Sequence, residues 1–183
     1  MRIKTKSMIL AALFAALTAV GAFVKIPVGP APITLQFFFT ALSGILLGPY
    51  LGALSQLIYV ALGLLGIPVF TSGGGLSYVF NPGFGYLIGL ILAPLLIGKI
   101  CNAASSPSFL RVFLSCIVGV LAVYTIGVPY MYIILKYVNH VNITLLNLLK
   151  VGFLVFIPGD IVKSIVVAIL GVRIAPAIKK INS

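Results

Sequence analysis

From Ile26 to Gly98 the sequence carries no charged side chain. A stretch of that length cannot surface a soluble domain, in which about a quarter of residues are charged. It also far exceeds the roughly 20 apolar residues that one bilayer crossing needs. Elsewhere the chain keeps the same character: 62% of all residues are hydrophobic and 7% charged, with a mean hydropathy of +1.29. We therefore read an all-α polytopic membrane protein, a single transmembrane domain over residues 1–183. Tryptophan is absent, which leaves tyrosine as the main interfacial aromatic.

A net charge of +11 raises the question of nucleic acid. The basic residues stand singly or in twos and threes beside apolar runs, with neither a basic stripe nor an aromatic platform. That distribution fits membrane topology and excludes nucleic acid as a partner. The opening Met1–Phe23 has the basic start and apolar run of a signal peptide, but its apolar run is long and more apolar segments follow, so it is read as a retained first helix. Cys101, assigned to a loop, and Cys116, inside an apolar run, lack ligand spacing or a paired motif. No metal and no cofactor is expected.

Six helices can be placed, at about 7–24, 33–47, 51–65, 84–97, 109–135 and 158–178. Prolines 27, 30 and 32 stop the first. Gly48, Pro49 and Tyr50 make a tight turn between the second and third. The segment from Val69 to Gly85 contains Gly73, Gly74 and Gly75, which rule out a stable helix there. Near the C-terminus, Pro158 interrupts an apolar run. A proline suits a first turn better than a helix interior, so the preferred reading has a short membrane-dipping segment over 145–156 and a last helix from Pro158. The rival is one kinked helix over 151–171.

An even number of crossings puts both termini on one side. With those termini cytoplasmic, Arg2, Lys4, Lys6, Lys99, Arg111, Arg173, Lys179 and Lys180 lie inside and Lys25, Lys136 and Lys150 outside. Lys163 falls in the membrane zone. The positive-inside bias selects this orientation. It also places the loop after helix 1, the glycine-rich loop and the start of helix 6 together at the outer face.

Asp160 is the only acidic residue of the chain. On a helix starting at Pro158 it occupies the first turn, and Lys163 follows at i+3 on the same face. A structural cap is one use of such a pair. Serine or threonine caps without a charge, however, and ionisable groups in membrane helices are costly and mark ligand or ion paths. Carboxylate, ammonium and helix-start N–H groups together match a small polar ligand. An ion relay is weakened by the lack of any second acidic residue. Gln36, Asn81 and Tyr86 are further candidates for the same outer pocket. Each also has a plain alternative: an interhelical hydrogen bond, a helix cap and an interfacial aromatic, respectively. The Ser72–Tyr78 segment suggests a flexible lid. It lacks the lysine of a phosphate-binding loop. His140 reads as a solvated loop residue. Ala11, Ala15 and Ala19 form a small-residue stripe, with a second at Ala12 and Ala16. Such a stripe either packs internally or docks a separate membrane subunit.

The blocks GPAPITLQ (29–36), LLGPYLGALSQLIYVALGLLGIPVF (46–70), PGFGYLIGL (82–90) and PGDIVKSIVVAIL (158–170) resemble the BioY family. Members are biotin-specific membrane subunits (S components) of energy-coupling-factor (ECF) transporters. The resemblance spans nearly the whole chain in block order. It implies a six-helix bundle capturing biotin at the outer face, with a membrane coupling subunit and cytoplasmic ATPases as partners. The family's acidic residue and lysine fall on Asp160 and Lys163, and the alanines of helix 1 resemble its docking face. Where members often carry threonine, position 83 is Gly, while Pro82, Gly85 and Tyr86 stay in pattern.

Overall fold

A computed structural model describes residues 5–103 and 107–182, with side chains in the last helix described as far as Ile174. Arg2 and Lys4 of the topology argument lie outside the described residues, as do the side chains of Lys179 and Lys180. The described residues form an all-α bundle of six helices and one short seventh. They are α1 (Thr5–Phe23), α2 (Gln36–Leu47), α3 (Pro49–Leu64), α4 (Phe84–Asn102), α5 (Phe109–Ile133), the five-residue α6 (Leu145–Leu149) and α7 (Ile157–Asn182).

Four helical stretches are long and apolar enough to cross a membrane: Thr5–Phe23, Phe84–Asn102, Phe109–Val138 and Leu145–Ile174. The other two are short. At 1.5 Å per residue the 12 residues of α2 rise about 18 Å, and the 16 of α3 somewhat more. Gly48, at φ 85°, makes the tight turn between them, and Pro49 opens α3, where a missing N–H costs nothing.

Close packing depends on glycine at particular crossings. A Cβ on Gly89 of α4 would lie 2.6 Å from the Val123 Cα of α5, a contact only glycine permits. Pro94 is tolerated inside α4, where Gly44 of α2 comes so near that an added Cβ would sit 2.9 Å from the proline Cα. The helix continues past the expected end at 97 through Lys99 to Asn102. This puts Cys101 in the last turn of α4, buried, and not in a loop.

Between α1 and α2 the proline-rich segment forms a two-stranded antiparallel hairpin, β1 (Lys25–Ile26) with β2 (Ile33–Thr34), pairing Lys25 with Thr34. The glycine-rich segment contains a 3-10 turn, Leu76–Phe80, which begins only after Gly75. The segment is tied down, in contrast to the flexible lid suggested by its composition. Phe70 is buried edge-on against Tyr59 and beside Tyr78, and burial of such a ring stabilises by about 1.5–3 kcal/mol. Gly75 N–H donates to Gly63 O at 2.7 Å, and Tyr130 Oη to Val79 O at 2.6 Å.

The C-terminal region lies between its two sequence readings. α5 runs on into a π-helical turn, Ile134–Val138, and α6 into another, Lys150–Leu154. Only Val155 and Phe156 then separate this helical stretch from α7. Pro158 sits in the first turn of α7, as its chemistry favours. The Asp160 amide donates to Phe156 O at 3.0 Å, so it is not a free donor of an open helix start.

Candidate functional site

The hairpin, the glycine-rich segment, the first turns of α2, α4 and α7 and the second half of α5 meet at one end of the bundle. They enclose a cavity of about 80 Å³, counted as the space open to the centre of a water molecule. Its wall is mainly apolar, from Phe37, Leu87, Leu90, Val120, Val123 and Phe156, with Thr34, Gln36, Tyr86, Tyr124, Asp160 and Lys163 interspersed.

Asp160 and Lys163 are paired as their spacing implies, Lys163 Nζ lying 2.5 Å from Asp160 Oδ1, with side chains 11% and 12% exposed for the lysine and the aspartate. Withdrawing two ions this far from water costs several kcal/mol each, so further partners matter. Lys163 also donates to Thr34 O at 3.0 Å, which anchors α7 to β2. Tyr124 Oη donates to the other carboxylate oxygen, Asp160 Oδ2. One ion pair is thus held by three elements distant in sequence.

Gln36 is buried on the same wall. Its Oε1 accepts from Thr34 Oγ1 at 2.9 Å, and its Nε2 donates to Tyr59 Oη at 2.8 Å. Tyr59 in turn donates to Val69 O at 3.0 Å. The interhelical hydrogen bond and the pocket position therefore coexist. Tyr86 donates to Gly152 O in the second π-helical turn at 2.7 Å. Its ring is accommodated by Gly127, where a Cβ would come within 2.5 Å of the ring. Over the mouth, Lys25 Nζ donates to Thr71 O, and Thr71 and Tyr78 share a 2.8 Å hydroxyl–hydroxyl bond.

Asn81 is placed differently. Its Oδ1 accepts from Gly83 N–H at 2.8 Å, holding the turn into α4, and it borders a second, shallower depression with Ser72, Ser77 and Asn139. His140 is exposed, at φ 53°. The alanine stripe divides. Ala11 and Ala15, at 0% and 3% exposure, are buried inside the bundle, and Ala19 packs at the edge of the core. Ala11 and Ala15 cannot face a separate subunit, because α1 turns this row towards its own bundle together with Phe14 and Thr18. Ala12 and Ala16 face outwards. Among the described residues no group of three or more His, Cys, Asp or Glu could hold a metal.

Sequence reasoning missed Tyr124, Thr34, Thr71 and Tyr78 as lining residues. Tyr124 did leave a signal: a hydroxyl in the middle of an apolar helix needs a partner. Thr34 left none, since its contribution to Lys163 is a backbone carbonyl.

An apolar helical bundle with an internal cavity, polarised by one ion pair, has the form of a membrane protein for a small solute. The chain belongs to the BioY family, whose model matches residues 1–180. It is 44% identical over 170 residues to the probable biotin transporter BioY of Lysinibacillus sphaericus, covering 93% of this chain and 87% of that one. To the biotin transporter BioY of Thermotoga maritima it is 36% identical, covering 92% and 95%. A crystal structure of the S-component for biotin from an ECF-type ABC transporter matches with a TM-score of 0.80 at 29% identity, covering 94% of each chain.

Proposed function

We propose that this chain is the biotin-capturing S component of an ECF-type transporter, binding biotin in the cavity between α2, α4, α5 and α7 for uptake across the cytoplasmic membrane. The observation that carries the site assignment is the Asp160–Lys163 pair on the wall of a mainly apolar cavity. Biotin has the complementary chemistry: ureido N–H donors for a carboxylate, oxygen acceptors for an ammonium, and a fused ring and aliphatic chain for the apolar wall. Gln36 and Tyr86 line the same space, and Asn81 acts from the turn beside it. The family relationship makes the chain a transport subunit and not an enzyme.

The chain forms a single transmembrane domain whose termini are cytoplasmic, supported by the eight-to-three distribution of basic residues across the loops. The cavity then opens to the outside. Energy comes from partners, a membrane coupling subunit and cytoplasmic ATPases, and the outward stripe of α1 at Ala12 and Ala16 supplies a small-residue docking face.

Radiolabelled biotin binding to purified protein tests the assignment, with Asp160→Asn beside the wild type. The substitution keeps size and one acceptor but removes charge, and is expected to cost about 1–3 kcal/mol, some 5- to 150-fold in Kd. Unchanged affinity in a folded Asp160→Asn protein would remove the pair from the ligand site. Saturable binding of riboflavin or thiamine in place of biotin would overturn the substrate.

A further inference from the structure

We infer that Tyr124 is a positioning residue of this site: its hydroxyl fixes the orientation of the Asp160 carboxylate towards the ligand. The inference rests on the reading that Asp160 binds the ligand. A carboxyl group turns easily about its terminal torsion, which has a broad, roughly two-fold profile. Lys163, three residues along the same helix, holds only one of the two oxygens, so the other is left to turn unless a second partner meets it. Tyr124 comes from another helix, α5, and donates to the oxygen that Lys163 leaves open. Two donors from two helices, one on each oxygen, define the carboxylate plane.

The ring that carries the hydroxyl is itself held by aromatic packing. The Tyr124 ring stands edge-on to Phe153 at 4.9 Å between centroids and edge-on to Tyr86 at 6.1 Å. Phe153 belongs to the π-helical turn before α7 and Tyr86 to α4, so three elements aim one O–H. A carboxylate has about four lone-pair positions. With Lys163 and Tyr124 each taking one, each oxygen keeps another, and Asp160 and Tyr124 both line the cavity. The ligand meets an acceptor that is already oriented, which lowers the ordering cost of binding.

The test uses Tyr124→Phe, which keeps the ring and its aromatic contacts and removes only the hydroxyl. Biotin affinity is expected to fall about tenfold in the wild-type background and by less than about twofold when Asp160→Asn is already present. Equal losses in both backgrounds, or none in either, overturn the inference. Infrared spectroscopy supplies a readout that packing alone does not move. Because Asp160 is the only acidic side chain of the sequence, the difference between wild type and Asp160→Asn isolates its carboxylate stretch. Tyr124→Phe is expected to shift that band without ligand, and an unmoved band overturns the inference. If Tyr124→Phe does not fold, the tyrosine C–O band in the same wild-type-minus-Asp160→Asn spectrum serves instead. It must shift when the charged acceptor is lost, and its constancy is the negative result. Unchanged biotin affinity in Asp160→Asn, with the carboxylate band still shifted by Tyr124→Phe, would instead take down the site assignment and leave only the Tyr124–Asp160 contact standing.

Discussion

Two of the polar clusters that interrupt this apolar bundle are built on opposite plans. The first surrounds Gln56 of α3, which is fully buried. Its Oε1 accepts from Thr40 of α2 at 3.0 Å, and its Nε2 donates to Thr18 of α1 and to Ser55, both at 3.1 Å. Thr18 passes its own proton to Phe14 O and Ser55 to Gly52 O. The cluster is neutral, lines neither of the two cavities described above and spends both donors of the amide, so it joins α1, α2 and α3 as a closed unit. The second cluster, around Asp160, joins α7, α5 and β2. It is charged, opens on the cavity and keeps acceptor positions unspent. Buried polarity alone therefore does not mark a binding site. Charge, an adjoining cavity and unspent hydrogen-bonding capacity together do.

The largest effect is expected from Lys163→Met, which strips the charged cluster of its cation. Breaking a buried pair costs about 3–5 kcal/mol. Here the loss falls towards the lower end, because both side chains keep some exposure and Tyr124 still donates to the carboxylate. Melting temperature and biotin affinity should fall together, and a large drop in one with the other unchanged would separate folding from binding at this pair. Gln56→Leu should come next, at about 1–3 kcal/mol of stability, since Thr40 loses its acceptor and Thr18 a donor. Biotin affinity of the folded variant should match wild type within about threefold. Weakened binding without destabilisation would mean that the closed cluster also serves the ligand, and the contrast between the two clusters would fail.

The charged cluster was half legible in the sequence and the neutral one hardly at all. A lone carboxylate in an apolar chain stands out, and its i+3 lysine is local information that any helix conveys. The third partner, Tyr124, comes from α5, and the fourth is the main chain of Thr34, so both depend on tertiary approach. Gln56 enters the sequence reading only as one letter of the 46–70 block, since a single amide in a helix does not reveal which hydroxyls face it. Helix positions followed from hydrophobic runs and prolines. The ends shifted where a rule was too local: the uncharged run of the fourth helix stops before Lys99, yet α4 continues through Lys99 to Asn102. The β1–β2 hairpin was illegible because its strands are two residues each and their pairing is held partly by Lys163 from far along the chain.

Neighbouring alanines of α1 give the smallest and most selective test, because they lie on opposite sides of one helix. Ala15 belongs to the row that faces the neutral cluster and is 3% exposed, whereas Ala16 faces away. Leucine at position 15 must be fitted into a closed interior and should cost about 1–3 kcal/mol through overpacking. Leucine at position 16 enters open space and should leave stability within about 0.5 kcal/mol of wild type, with biotin affinity unchanged. Its effect should appear only in assembly, as reduced co-purification of the coupling subunit and ATPases and slower energised uptake in vesicles. A thermal-melt series, a biotin titration and a pull-down on the same two variants resolve the three properties. If Ala16→Leu assembles and transports normally, the docking face is not this stripe. If it melts as early as Ala15→Leu, the outward side of α1 is packed against the chain itself and the division of the stripe is wrong.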